Sequence, residues 1–228
     1  MPPLPPVIPQ ADVERLARAY LRAVYRWRGE SDWHDIHIGL PVPALEGLRP
    51  TPDRVRESLF NWLGQDLTGW DCLELFAGTG VLGFEAASRG AASVILVERS
   101  AAVAKSLQAT RERLGADAVT IVRAEVEAWL ATAPPRRHDL ILVDPPYRER
   151  WLERLLPKLR SRLAPGGRIY AECEFELGAG WLEAHAIDWL EPLRSGRAGQ
   201  VHYHLLGDRR DPAPAGAGVS SRATPGGA

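Results

Sequence analysis

Between Asp71 and Glu174 the chain alternates short apolar runs with segments of helical period, and this alternation most constrains its fold. The strand-like runs are Asp71 to Phe76, Ser93 to Glu98, Val119 to Arg123, Leu140 to Asp144 and Arg168 to Glu174. The helix-like segments between them are Val81 to Arg89, Ala101 to Leu114, Glu125 to Ala131 and Arg150 to Leu163. Apolar strands joined through helices predict a mostly parallel sheet covered on both faces. After Glu174 two β-rich segments follow, near Ala184 to Glu191 and Gln200 to Leu206, with no long helix between them. They fit an antiparallel hairpin on the sheet edge. The expected class is therefore α/β, Rossmann-like, with seven strands and a C-terminal antiparallel hairpin.

The segments before and after this alternation read differently. Residues 1 to 10 are Pro-rich, and Ala11 to Arg28 carries Val13, Leu16, Tyr20, Leu21, Val24 and Trp27 at helical spacing. A connecting segment reaches Pro50. Thr51 then caps a helix that starts with Pro52 and buries Val55, Leu59, Phe60 and Leu63. Residues 207 to 228 are low in complexity and read as a disordered tail. The expected organisation is an N-terminal extension over 1–40, a catalytic domain over 41–206 and that tail.

No apolar run approaches the ~18 residues that cross a bilayer, and the N-terminus has no basic stretch leading into an apolar one. Cys72 and Cys173 both sit in apolar runs, as buried free thiols do. A cytoplasmic protein without membrane contact is expected. His34 and His37 lack further clustered ligands, so no metal is expected. The formal net charge of -1 is not that of a strongly basic nucleic-acid binder. Yet Arg136 to Arg168 holds nine Arg or Lys against four acids. That stretch reads equally as a nucleic-acid-facing surface or as a solvated helix face.

The first strand runs into Glu74-Leu75-Phe76-Ala77-Gly78-Thr79-Gly80-Val81-Leu82-Gly83. Glycines at a strand-to-helix turn let the backbone approach a ligand closely. Gly78, Gly80 and Gly83 also satisfy the dinucleotide spacing, so this loop alone does not separate a nicotinamide cofactor from S-adenosylmethionine. Nor does Glu98, placed to accept hydrogen bonds from ribose hydroxyls at the end of the second strand. Glu74 favours S-adenosylmethionine. An acid entering the loop repels a pyrophosphate, but it pairs with an ammonium or a sulfonium. Phe76, Ala77, Thr79 and Arg99 flank these positions and join the expected cofactor set. Glu125, after the third strand, reads either as an adenine-side contact or as a helix-start carboxylate.

Asp144-Pro145-Pro146-Tyr147, at the end of the fourth strand, points to the chemistry. The lone pair of an exocyclic base amine is delocalised into the ring, so catalysis must aim it at the methyl donor. Asp144 can accept one N–H and the Pro145 carbonyl the other. Pro145 and Pro146 hold those acceptors rigidly, because proline fixes φ. Tyr147 offers a face on which an extruded base stacks. Positioning supplies most of the rate, and no strong general base is needed. Asp144 also belongs to the cofactor set, since it faces the donor.

At this point the chain resembles the RsmD-type 16S ribosomal RNA (guanine-N2)-methyltransferases of bacteria. The specific block is Gly47-Leu48-Arg49-Pro50-Thr51-Pro52-Asp53-Arg54-Val55-Arg56-Glu57-Ser58-Leu59-Phe60-Asn61-Trp62-Leu63, joined by the glycine loop, Asp144 to Tyr147 and Ala198-Gly199-Gln200-Val201. The resemblance implies S-adenosylmethionine as cofactor and 16S rRNA, or an assembling small ribosomal subunit, as partner. It also implies cofactor-facing roles near Arg49 and Thr51 and for Arg54, Arg56 and Glu57. A monomer is expected. The chain departs from that family before Leu40, where a helical segment replaces the usual short basic strand and five arginines balance five acids. Two other readings remain open on sequence: adenine-N6 methylation of DNA, and a non-catalytic RNA-binding assembly factor.

Overall fold

The computed structural model describes residues 53–147 and 149–211. The expected helix at Ala11 to Arg28, the extension over 1–40, His34, His37, Arg49, Thr51 and most of the tail fall outside that range. In chain order the elements are α1 (Asp53–Leu63), β1 (Asp71–Leu75), α2 (Val81–Ser88), β2 (Ser93–Glu98), α3 (Ala101–Leu114), β3 (Val119–Arg123) and α4 (Val126–Thr132). They continue with β4 (His138–Val143), α5 (Trp151–Leu159), a 3-10 turn (Arg160–Arg162), β5 (Leu163–Cys173), α6 (Ala179–Ala184), β6 (Leu190–Ala198) and β7 (Val201–Asp208).

All seven strands form one sheet in the order β3-β2-β1-β4-β5-β7-β6. The first five of that order run parallel, and β7 is antiparallel to both β5 and β6. The expected class is therefore the observed one. β1 is buried over Cys72 to Leu75 and β4 over Leu140 to Val143, which is why their sequences lack a polar face. One face packs Cys72, Val94, Leu96, Leu140, Leu142 and Tyr170 against Val55, Leu59 and Phe60 of α1 and against α2 and α3. The other packs Leu73, Leu75, Ile141, Val143 and Ile169 against Leu152, Leu155, Leu156 and Leu159 of α5. Leu63 of α1 is only partly buried, unlike the other apolar residues expected on that face.

Several expected boundaries move, for identifiable reasons. The first strand stops at Leu75, because Phe76 turns out of it with φ of +63°. The helix expected to reach Leu163 ends at Leu159, and Leu163 instead pairs with His138 as the first rung of β5 on β4. The strand expected over Ala184 to Glu191 is a correction. A short helix covers Ala179–Ala184, and β6 covers Leu190–Ala198. β6 is an edge strand with Arg194, Ser195 and Arg197 exposed, so it carries no apolar alternation to read. Ile187 and Trp189 supplied that signal, and they fill the core just ahead of the strand.

The basic stretch from Arg136 to Arg168 does not form one face. Arg162 is buried and donates from Nη2 to the carbonyls of Leu130 (2.8 Å) and Ala133 (2.9 Å), closing the end of α4. Arg154 and Lys158 both pair with Glu127, and Arg150 pairs with Glu153. Arg136 pairs with Asp71. Both thiols are buried, Cys72 pushed up to about 12 and Cys173 to about 11, first by burial, so neither is a nucleophile at neutral pH. No helix among the described residues is long and apolar enough to cross a membrane.

Candidate active site

Strand order reverses between β1 and β4: from β1 the chain builds outward through β2 and β3, and from β4 outward through β5. Ligands of open α/β sheets bind where the order reverses, beyond the carboxyl ends of the strands. The loop after β1 and the loop after β4 leave the sheet side by side at that point, since Leu75 pairs with Val143.

The loop after β1 is built from left-handed turns. Phe76, Gly78 and Gly80 have φ of +63°, +51° and +71°. Phe76 is the costly one, because a Cβ disfavours that region. Its ring meets the Trp151 indole edge-on at 4.9 Å, a contact that links this loop to the start of α5. Gly78 donates its N–H to Glu98 Oε2 at 3.0 Å, and Ser100 donates to Glu98 Oε1 at 2.7 Å. Glu98 is thus fixed at the end of β2, with acceptor capacity left on each oxygen. Ala77 is buried and its N–H bonds the carbonyl of Val97. Thr79 is half-buried on the loop, and Arg99 and Glu125 are exposed beyond β2 and β3.

Gly83 lies apart from the loop's mouth. It faces the sheet from α2 and donates its N–H to Glu74 Oε2 at 2.9 Å. Glu74 is 5% exposed, and its carboxyl is pushed up to about 8. Burial is the main cause. The Gly83 bond pulls the other way, and the charges acting on Glu74 are all negative: Asp144, Glu98 and Glu172.

Asp144, just past β4, is held well above the usual carboxylate range by burial first and by Glu172 second. No hydrogen bond to its carboxylate forms among the described residues. Pro145 is buried, Pro146 exposed and Tyr147 half-buried. A cleft of about 270 Å³ opens here, and its wall includes Pro145, Tyr147, Trp151, Glu172, Phe175 and Trp181. Phe175 is 38% exposed and packs against Trp181 at 5.3 Å. A larger depression of about 440 Å³, bordered by Arg137, Lys158 and Asp208, lies at the opposite end of the sheet and touches no expected site residue.

The structure therefore brings Glu74, Phe76 to Gly80, Glu98 and Asp144 to Tyr147 to one end of the sheet. Sequence reasoning missed Trp151, Glu172, Phe175 and Trp181. Glu172 had a usable signal, an acid inside an apolar strand. The aromatic residues had none, since they come from three separated segments.

A family model described as "Conserved hypothetical protein 95" matches residues 37–207. The "Ribosomal RNA small subunit methyltransferase D" of Escherichia coli (strain K12) is 40% identical over 182 residues, covering 79% of this chain and 85% of that protein. The chain belongs to this methyltransferase family. The solved structure of the Escherichia coli protein yhhF is 38% identical, with a TM-score of 0.62 over 74% of this chain and 90% of that one. The protein SMU.776, solved in complex with SAH, is 18% identical with a TM-score of 0.57, over 70% of this chain and 50% of that one, a likeness of fold.

The site of this family member fits S-adenosylmethionine on its own chemistry. Burial raises the affinity of Glu74, Asp144 and Glu172 for protons; Asp144 and Glu172 add to it at Glu74, Glu172 adds to it at Asp144, and no described cation relieves them. A ligand bearing a sulfonium and an ammonium would. Glu98 presents two fixed acceptors, as ribose hydroxyls require.

Proposed function

We propose that this chain transfers the methyl group of S-adenosylmethionine to the exocyclic N2 of a guanine in small-subunit ribosomal RNA. The observation that carries this reading is Asp144, a carboxylate that lacks a donor among the described residues and stands beside Tyr147 where the strand order reverses. Asp144 is half-buried, and a base seated over it would strip its remaining water, so an acceptor there calls for an incoming N–H.

When bound, S-adenosylmethionine supplies a methyl group already activated by the sulfonium, so the protein's task is alignment. Glu98 would hold the ribose hydroxyls, and the turns from Ala77 to Gly80 would let the backbone approach the donor. Glu74 faces its positive end, and Arg49, Thr51, Arg99 and Glu125 are assigned to the remainder of the cofactor. Asp144 and the Pro145 carbonyl accept the two N–H groups of the guanine amine and aim its lone pair at the methyl carbon. Tyr147 stacks on the base. A new N–C bond forms as the C–S bond breaks, its electron pair stays on sulfur in S-adenosylhomocysteine, and the displaced amine proton leaves through Asp144 to solvent. The name of the Escherichia coli relative supports the substrate class.

The test is methyl transfer from labelled S-adenosylmethionine to small-subunit particles that lack the modification, followed by digestion to nucleosides and mass spectrometry. N2-methylguanosine is expected. Label in N6-methyladenosine instead, or only in duplex DNA, would replace this reading.

A further inference from the structure

Glu172 has no part in the scheme above, yet it is 2% exposed and belongs to the same cleft wall as Pro145 and Tyr147. Val143 of β4 pairs with Ala171 of β5, so the next residues, Asp144 and Glu172, lie side by side on neighbouring parallel chains. Strands in that relation stand about 4.8 Å apart. Tyr170 donates its hydroxyl to Glu172 Oε1 at 2.8 Å. That bond fixes the carboxyl group, and Oε2 makes no hydrogen bond among the described residues. Oε2 is not sealed from solvent, and Glu172 lines the cleft, so this oxygen is open to a donor that a bound ligand brings.

We infer that Glu172 is the residue that selects guanine over other bases, by accepting its N1–H while Asp144 holds the neighbouring N2 amine. The inference rests on the guanine-N2 reading above. On guanine the N1–H lies next to the reacting amine along the same edge, as Glu172 lies next to Asp144. On adenine the ring nitrogen beside the amine is an acceptor. Its lone pair would face the carboxyl oxygen, and two buried acceptors would be left without a proton between them. A site built to receive a hydrogen bond rejects strongly an analogue that cannot give it. Tyr170 is a positioning residue in this arrangement, holding Oε1 so that Oε2 is presented to the cleft.

2-Aminopurine separates the two roles, because it keeps the amine at C2 and lacks the N1–H. The target guanine is first located by mass spectrometry in small-subunit RNA modified by the wild-type enzyme. The same RNA is then ligated with 2-aminopurine at that position. Wild-type enzyme is expected to prefer guanine at least about tenfold in kcat/KM, the range of a good base-edge contact. Glu172→Ala should reduce that preference at least about fivefold, and Glu172→Gln, which keeps an acceptor oxygen, should retain most of it. Dividing the preference of each variant by that of the wild type cancels the intrinsic reactivity of the two bases. Equal losses on both bases in Glu172→Ala would make Glu172 a support for Asp144 alone and overturn the inference. A wild-type preference near unity would overturn it without any variant, which covers the case of a substitution that unfolds the chain. N2-methylguanosine absent from every wild-type reaction would instead remove the functional reading and this inference with it.

Discussion

Gly83 on α2 and Glu74 on β1 share one oxygen: Gly83 donates its N–H to Glu74 Oε2 at 2.9 Å, and a Cβ at Gly83 would stand 2.5 Å from that same atom. Helix and strand are as close there as a hydrogen bond allows. The glycine serves the seating of the acid rather than a turn.

Gly83→Ala should therefore be destabilising, and it should also shift the Glu74 carboxyl group. Its Cβ would also strike the Leu96 side chain, which is fully buried and has nowhere to go. Overpacking of this kind costs about 1–3 kcal/mol. Urea denaturation should show a lower midpoint at an unchanged slope.

Glu74 sets a pH dependence whose sign follows from its raised value of about 8. At pH 4 the carboxyl is protonated in both folded and unfolded chains, and it contributes nothing. As pH climbs from about 4.5 towards 8 the unfolded chain releases the proton while the folded chain keeps it, so stability falls. The slope approaches about 1.4 kcal/mol per pH unit within that window. Thermal melts of the ligand-free protein should show this decline, and Glu74→Gln should flatten it. Binding of S-adenosylmethionine at pH 7 should release a proton, measurable by calorimetry in buffers of different ionisation enthalpy.

Asp144→Asn should separate activity from stability in opposite directions. The amide removes one of the mutually repelling acids around Glu74 and Glu172. A gain of about 1 kcal/mol is expected, the usual size of a relieved active-site conflict. Methyl transfer should fall by about 100-fold or more, as when a group acting in the transition state is removed. Cofactor affinity should change little. Parallel melting, calorimetric and transfer measurements test all three, and equal losses in binding and transfer would move Asp144 from the base to the cofactor.

Tyr147→Ala should lower kcat/KM for RNA by about 5- to 150-fold, the worth of one stacked base. Tyr147→Phe keeps the ring and should retain most of the activity. A loss as large for Phe as for Ala would mean that the hydroxyl, not the face, is what the substrate meets.

The interior strands of the parallel half were legible because burial on both faces leaves them nearly uniformly apolar. Ser93 to Glu98, inside the sheet, keeps its expected bounds; so does Val119 to Arg123, an edge strand whose Ile121 and Val122 are partly buried against the core. β6 was not legible, since after Leu190 none of its residues is fully buried and Arg194, Ser195 and Arg197 are exposed, leaving no apolar run to read. The same division applies to the site. Glu74, Glu98 and Asp144 announce themselves as acids at strand ends, a position set by local sequence. Trp151 and Trp181 reach the cleft only through the packing of α5 and α6 against β5, and no spacing encodes that.

The reversal of strand order also means that one flank of β1 is paired only after a later strand has been made. Among the described residues β1 is the first strand made, and it ends near the middle of the sheet, with β2 on one flank and β4 on the other. Cys72 waits for Leu140 before its second flank is paired. Until the fourth strand emerges from the ribosome, the three strands already made present an open apolar edge, of the kind that captures other chains. Pairing of Leu75 with Val143 closes that edge.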